Sequence, residues 1–212
     1  MISEAIGAAC KRIIDAIVRA LVRSRMNPNV LTFIGLLINI GCAALFGYGR
    51  FFAAGLLMIF ANLFDMLDGQ VARLRGRVTQ FGAFFDSALD RYSDIIVYVG
   101  IMIFYARDTV AHSTLLVALT GLALVGSVMV SYSRARAENL IPACKVGFAE
   151  RPERVVLLII GALFDRMAPV LCVIAVISNL TVIHRMMYTF QQAKQLEEAQ
   201  LRGAGVAKSK QS

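Results

Sequence analysis

A chain of 212 residues has room for one domain, and at 58% hydrophobic this one carries more apolar side chain than a water-soluble domain of that size needs. A formal charge of +8 would point to nucleic acid in a soluble protein. With a mean hydropathy of +0.68 and no motif that reads DNA or RNA, an anionic lipid surface is the better partner and no nucleic acid is expected.

Residues 1–25 read as an amphipathic helix lying in the membrane interface. Ile6, Cys10, Ile13, Ile17 and Leu21 share one face, and Arg12, Asp15, Arg19 and Arg23 lie opposite. No cleavable signal peptide is evident. Asn27-Pro28-Asn29 breaks that helix, and Pro28 suits the start of the next. Residues 30–48 form an apolar run long enough for a hydrocarbon core of about 30 Å. A turn at Tyr48-Gly49-Arg50 leads to a second span at 51–74, and a basic turn at Arg75-Gly76-Arg77 to a third at 79–105. Arg107 and Asp108 close it. A fourth span covers 113–132, a polar segment 133–154, a short fifth span 155–164, for which Pro152 offers an alternative start, and, after a turn at Asp165-Arg166, a sixth span 167–188. The remainder is polar and predicts a disordered tail. The expected fold is therefore an all-α integral membrane bundle of six transmembrane helices, with 1–25 as a juxtamembrane helix, 26–190 as the bundle and 191–212 as the tail.

Cys10, Cys42, Cys144 and Cys172 are scattered without zinc spacing, and His112 and His184 are isolated, so neither residue type suggests a metal site. Lysine and arginine are distributed unevenly. Eighteen fall in the N-terminal segment, the second turn, the 133–154 segment and the C-terminal segment; Arg50, Arg107 and Arg166 alone fall on the other side, and Arg91 lies within the third span. The positive-inside rule then gives six spans with both termini cytoplasmic.

The chemistry concentrates in residues 65–90. Four carboxylates fall in two pairs, Asp65/Asp68 and Asp86/Asp90, each on one face of a helix. Gly69 and Ala72 continue the first stripe and Gly82 opens the second, so two backbones can approach until the pairs meet. In the expected topology both pairs lie roughly 10–15 Å from the cytoplasmic ends of their helices. Four acids converging in a medium of low dielectric cannot all stay charged without a cation. Acids in membrane spans are costly and usually functional, and hard oxygen ligands select Mg²⁺, Mn²⁺ or Ca²⁺. Arg73 offers a planar fork to phosphate oxygens. Asp94 extends the second stripe and can pair with Arg91 inside the membrane.

The pattern Asp65-x2-Asp68-Gly69-x2-Ala72-Arg73-x8-Gly82-x3-Asp86-x3-Asp90 resembles the full signature of the CDP-alcohol phosphotransferase family, with all eight fixed residues at their set spacing. The entry Asn27-Pro28-Asn29-x-x-Thr32 resembles the start of that family's first membrane helix, and the resemblance covers roughly residues 26–190. It implies an enzyme of phospholipid synthesis that moves a phosphatidyl group from CDP-diacylglycerol to a hydroxyl acceptor and releases CMP. It implies a two-metal Mg²⁺ or Mn²⁺ site on Asp65, Asp68, Asp86 and Asp90, with Asp90 also deprotonating the acceptor. Asn29, Thr32, Gly69, Ala72, Arg73 and Gly82 would bind nucleotide and diphosphate. A homodimer is expected by analogy, in a bacterial or archaeal cytoplasmic membrane with the active site facing the cytoplasm.

Residues 133–138 and 147–154 are charge-dense and resemble the phosphatidylinositol-phosphate synthase branch of that family, although Arg134 stands where a lysine is usual. Arg134, Arg151, Arg154 and Arg185 are candidates to hold a phosphate on the acceptor, which makes inositol phosphate the expected acceptor ahead of glycerol 3-phosphate or free inositol. Each arginine alone reads better as a membrane-surface charge, and only the four together outweigh that reading. Two other classes compete. A cation transporter would carry its acids near the bilayer centre and show repeated halves, neither of which is seen. An aspartate-rich prenyltransferase fits Gly69, Ala72 and Arg73 poorly.

Overall fold

A computed structural model describes residues 28–74, 79–107, 110–148 and 150–209, without the side chains of 28, 66–74 and 200–209. The expected interfacial helix at 1–25 and the turn at 75–77 lie outside the described residues. All regular structure among the described residues is helical: α1 (Pro28–Gly47), α2 (Phe51–Leu74), α3 (Gln80–Ala106), α4 (Thr114–Ala137), α5 (Arg151–Leu163) and α6 (Met167–Ser209).

The helix ends follow local chemistry. α1 opens on Pro28, whose missing N–H costs nothing in a first turn. It closes in a Schellman motif: Gly49 takes φ +76°, its N–H donates to Phe46 O, and the Arg50 N–H donates to Leu45 O. Thr79 caps α3, its hydroxyl accepting from the Gly82 N–H at 2.9 Å. α5 begins at Arg151 rather than at 155, where the apolar run starts, because Pro152 belongs in a first turn. α6 continues as helix through Ser209, well beyond the end of the expected sixth span at 188. The polar residues from Gln191 to Arg202 are mostly Gln, Ala, Lys, Leu and Glu, all strong helix formers, and hydropathy alone does not register them.

Asn29–Gly47, Thr114–Ala137 and Met167–Ala199 are long and apolar enough to cross a membrane, and Phe51–Asp65 is a shorter apolar stretch. Their outer faces agree. α1 exposes Val30, Phe33, Leu37 and Ile40, α2 exposes Phe52, Leu56, Ile59 and Leu63, and α6 exposes Val173, Val176, Leu180 and Ile183. Continuous aliphatic stripes at helical spacing are unsuited to water and suited to lipid. The chain is an integral membrane protein.

It forms two compact units. The first runs to Val117 and takes in Ala162–Asp165; the second comprises Ala118–Gly161 and the residues from Arg166 onward. In the first, α1 packs against both α2 and α3. Its buried stripe is Leu31, Gly35, Asn39, Cys42 and Phe46, and the Asn39 amide donates to Gly35 O at 3.0 Å. The α1–α3 contact is close because Gly100 lies directly on the Ala43 backbone. In the second unit Gly126 of α4 faces Ser178 and Asn179 of α6, and Asn179 Nδ2 donates to Leu122 O at 3.3 Å. Beyond α4, Ala137, Ile141 and Cys144 form a small core under Val146, Tyr188 and Ala193.

A methyl group at Gly100 would collide with backbone atoms of Ala43, which cannot rotate away, whereas one at Gly121 would meet nothing within 4 Å. Gly100→Ala is expected to lower the thermal unfolding midpoint in detergent, at a cost of about 1–3 kcal/mol for overpacking. Gly121→Ala should leave the midpoint unchanged or raise it. Equal midpoints for the two variants would contradict the assigned α1–α3 contact.

Candidate functional site

The carboxylate site belongs to the first unit. α1 contributes Asn29 and Thr32 in its first turns, α2 contributes Asp65, and α3 contributes Gly82, Asp86 and Asp90. Because α1 packs on both other helices, residues far apart in sequence become neighbours. Asn29 Oδ1 lies 3.7 Å from where a Cβ on Gly82 would stand, so two of the expected nucleotide-binding residues are side by side at the starts of α1 and α3. Asp65 is half-buried, and its Oδ1 lies 2.7 Å from the Cβ position of Gly35. Asp86 is exposed and Asp90 half-buried. Asp90 Oδ2 lies 3.7 Å from Arg91 Nη2. Arg91 thus has an ion pair with its sequence neighbour Asp90, in addition to standing three residues before Asp94 on the helical stripe. Arg91 Nε is buried without a hydrogen-bond acceptor.

The α2 backbone stays helical through Leu74, which keeps Asp65, Asp68, Gly69 and Ala72 on one stripe. The side chains of Asp68, Ala72 and Arg73 lie outside the described residues. Among the described residues no three His, Cys, Asp or Glu side chains form a metal-ligand group. The donor chemistry nonetheless fits a hard divalent cation: Asp65, Asp86 and Asp90 are all carboxylates, and Gly35 leaves space beside the Asp65 oxygen that a Cβ would fill. Gly35 and Thr79 were not foreseen in these positions. Thr79 is readable as a cap, three residues before Gly82 at the start of an apolar helix. Gly35 sits in an unbroken apolar run and gives no signal of its own.

The arginine site belongs to the second unit. Arg134, near the end of α4, donates from Nε to Glu138 at 3.0 Å and from Nη1 to Glu150 Oε1 at 3.1 Å. Arg185 of α6 is 2% exposed; its Nη2 lies 3.5 Å from the same Glu150 oxygen, its Nε donates to Val146 O at 2.8 Å, and its Nη1 donates to Val130 O. Glu150 therefore gathers two arginines, and Arg185 ties α4, the following loop and Glu150 to α6. The loop reaches Arg185 through Gly147, whose φ of +117° and contact with Thr181 leave no place for a side chain. Arg154 is 2% exposed, one turn along α5 from Glu150, to whose carbonyl its N–H donates at 3.4 Å. Arg151 is half-buried in the first turn of α5. All four expected arginines thus lie within one unit, and Glu150, which the charge-dense segment contains but does not single out, organises two of them.

Residues 25–191 match the family model described as CDP-alcohol phosphatidyltransferase. The chain belongs to the CDP-alcohol phosphatidyltransferase family. It is 40% identical over 193 residues to an archaetidylinositol phosphate synthase of Methanothermobacter thermautotrophicus, covering 87% of this chain and 92% of that protein. It is 41% identical over 159 residues to a phosphatidylinositol phosphate synthase of Mycobacterium tuberculosis, covering 73% and 71%. A crystal structure of the Mycobacterium tuberculosis phosphatidylinositol phosphate synthase with CDP-DAG bound superposes with a TM-score of 0.78 at 35% identity, over 84% of this chain and 94% of that one. A second, in complex with manganese and citrate, gives a TM-score of 0.77 at 34% identity, over 84% and 88%.

In this CDP-alcohol phosphatidyltransferase the two sites differ in what they do to charge. The carboxylates lie half-buried or exposed beside bare helix surface. The arginines Arg154 and Arg185 are buried, and a buried cation is tolerated only with good partners. Guanidinium bonds to carbonyl and carboxylate oxygens are each worth about 1.5–3 kcal/mol. Arg185→Ala would strip Val146 O of the guanidinium donor, remove one of the donors to Val130 O, which also accepts from Ser133 Oγ at 3.1 Å, and leave Glu150 to Arg134 alone. It should lower the unfolding midpoint and make residues 138–150 sensitive to limited proteolysis while α1–α3 stays resistant. A proteolysis pattern identical to that of the unmodified protein would show that Arg185 does not hold the loop.

Proposed function

We propose that this membrane enzyme transfers the phosphatidyl group of CDP-diacylglycerol to inositol phosphate and releases CMP. The observation that carries the acceptor assignment is the pair Arg134 and Arg185 on Glu150, with the buried Arg185 joined by a buried Arg154 one turn along α5 from Glu150. A neutral alcohol needs hydrogen bonds but no such cluster. A phosphate monoester with charge near −2 needs cationic partners at a site of low dielectric. Relatives named as archaetidylinositol phosphate synthase and phosphatidylinositol phosphate synthase, and a structural neighbour crystallised with CDP-DAG, support the same reading.

In this reading Asp65, Asp68, Asp86 and Asp90 hold divalent cations, as supported by the neighbour crystallised with manganese. Those cations, when bound, supply charge neutralisation for the diphosphate and polarise the bond that breaks. Asn29, Thr32 and Gly82, with Gly69, Ala72 and Arg73, receive the nucleotide and diphosphate; Asn29 and Gly82 stand side by side at the starts of α1 and α3. Asp90 takes the proton of the acceptor hydroxyl. The hydroxyl oxygen forms a bond to the β-phosphorus, the bond from that phosphorus to the bridging oxygen breaks, and CMP leaves with the electron pair. Arg134, Arg151, Arg154 and Arg185 orient the acceptor through its phosphate, which competes with Glu150 for Arg134.

The test is CMP release from labelled CDP-diacylglycerol by purified protein with Mg²⁺ or Mn²⁺. Inositol phosphate should outcompete free inositol and glycerol 3-phosphate, and chelator should abolish turnover. Asp65→Asn, Asp68→Asn and Asp86→Asn should each remove nearly all of it. Arg134→Ala and Arg154→Ala should raise the acceptor KM ten- to a hundredfold, about 1.4–2.7 kcal/mol of binding, with little change in the CDP-diacylglycerol KM. Preference for an uncharged alcohol together with unchanged acceptor KM in both arginine variants would rule the phosphate site out.

The same proposal includes six spans with both termini and the carboxylates on the cytoplasmic side of a bacterial or archaeal membrane, supported by the skew of lysine and arginine and by the organisms of the relatives. Single cysteines at Gly49 or Asp165, in a background lacking the native cysteines, should react with an impermeant thiol reagent added to intact cells. One at Ala143 should react only after lysis. The opposite pattern would invert the topology.

A further inference from the structure

We infer that Gly35 is a positioning residue for the carboxylate site: its missing side chain sets where the Asp65 oxygen stands. The inference rests on the metal-binding reading above. On α1 the buried stripe runs Leu31, Gly35, Asn39, Cys42, Phe46, with a side chain on every member except Gly35. At that gap the atom facing α1 is a carboxylate oxygen. Asp65 Oδ1 is 2.7 Å from the Gly35 Cβ position, while Asp65 Cγ is at 3.9 Å. The oxygen, rather than the stem of the side chain or the α2 backbone, occupies the space.

The identity of that atom separates two roles a buried glycine can have. At Gly100 the obstruction is Ala43 backbone, so the glycine serves helix packing. At Gly35 the obstruction is the end of a side chain that can rotate. A methyl group there would leave the helices packed and drive the oxygen away. Ordinary contact begins near 3.4 Å, so Oδ1 would retreat from its present 2.7 Å by at least about 0.7 Å. Metal–ligand distances tolerate deviations of only about 0.2 Å. The displacement is several times that range, while it costs the fold little because the atom that moves ends a flexible side chain.

The experiment is Mn²⁺ binding by the full-length protein in detergent, without substrate, read from loss of the free-ion paramagnetic resonance signal, together with thermal unfolding. Gly35→Ala is expected to weaken Mn²⁺ binding by about 10–100-fold, as for loss of a group that orients a ligand, and to keep the unfolding midpoint within a few degrees. Gly41→Ala, whose methyl group would meet only Leu57 at 3.4 Å, should bind Mn²⁺ like the unmodified protein. In an Asp65→Ala background, where the oxygen is gone, Gly35→Ala should change neither binding nor midpoint. If the single variant fails to fold, the double variant decides: an unfolded double variant places the clash on backbone and overturns the assignment. Undiminished Mn²⁺ binding by Gly35→Ala also overturns it. Failure of the unmodified protein to bind Mn²⁺ would instead remove the metal reading on which the assignment stands.

Discussion

A charged group inside a lipid-facing bundle has to be answered by other groups of the same bundle, because no water is there to do it. Both units of this protein are arranged around that requirement, in opposite ways. In the first, helix surface is left bare so that oxygen atoms can stand against it: Asp65 beside Gly35, and Asn29 beside Gly82. In the second, the charges are guanidinium groups, and they are met by Glu138, Glu150 and the carbonyls of Val130 and Val146. A site that is to gain a cation keeps its anions accessible. A site that is to meet an anion can afford to neutralise its cations beforehand, provided the counter-ion can be exchanged.

The glycines make the same distinction at the level of single atoms. Gly49 and Gly147 are required by backbone conformation, one closing α1 and the other bending the loop toward Arg185. Gly100 is required by the approach of α1 to α3, where backbone meets backbone. Gly35 and Gly82 are different, since the nearest atoms are polar side-chain oxygens: Asp65 Oδ1 at Gly35, and Thr79 Oγ1 with Asn29 Oδ1 at Gly82. At Gly82 the nearer oxygen is the Thr79 cap, whereas at Gly35 neither capping nor packing calls for one.

How much of this could be read from the chain depends on whether the signal is local. Spans were legible where apolar runs are bounded by Pro, Gly or charge: α1 was expected at 30–48 and lies at Pro28–Gly47, and α3 was expected at 79–105 and lies at Gln80–Ala106. For α5 the apolar run indicates 155 and Pro152 an earlier start; the helix takes the start that the proline marks, although Arg151 and Glu153 are polar. The length of α6 was missed because its later part is helical by propensity rather than by burial. The aspartates were legible because their spacing along one strand of sequence is itself the pattern. Gly35 and Glu150 were not, because each acquires its meaning from a residue on another element, Asp65 in one case and Arg185 in the other. Arg91 fell between the two: helical spacing indicated Asp94, and the structure adds an ion pair with its sequence neighbour Asp90.

The choice of arginine over lysine in the second unit follows from counting donors. An ammonium group has three N–H bonds, and at position 185 Val146 O, Val130 O and Glu150 would take all of them. A guanidinium group has five in a fixed plane, so Arg185 can hold the loop with one bond from each nitrogen and still have an N–H on each terminal nitrogen. Arg134 is built similarly, with Nε on Glu138 and Nη1 on Glu150, its other terminal nitrogen not needed for either. Structural and ligand-binding roles therefore need not exclude one another at these positions. A residue that anchors the loop through its inner donors can present its outer ones to a phosphate, and the rigidity conferred by the first task reduces the entropy lost in the second. Replacement by lysine would keep the charge and lose that division of labour.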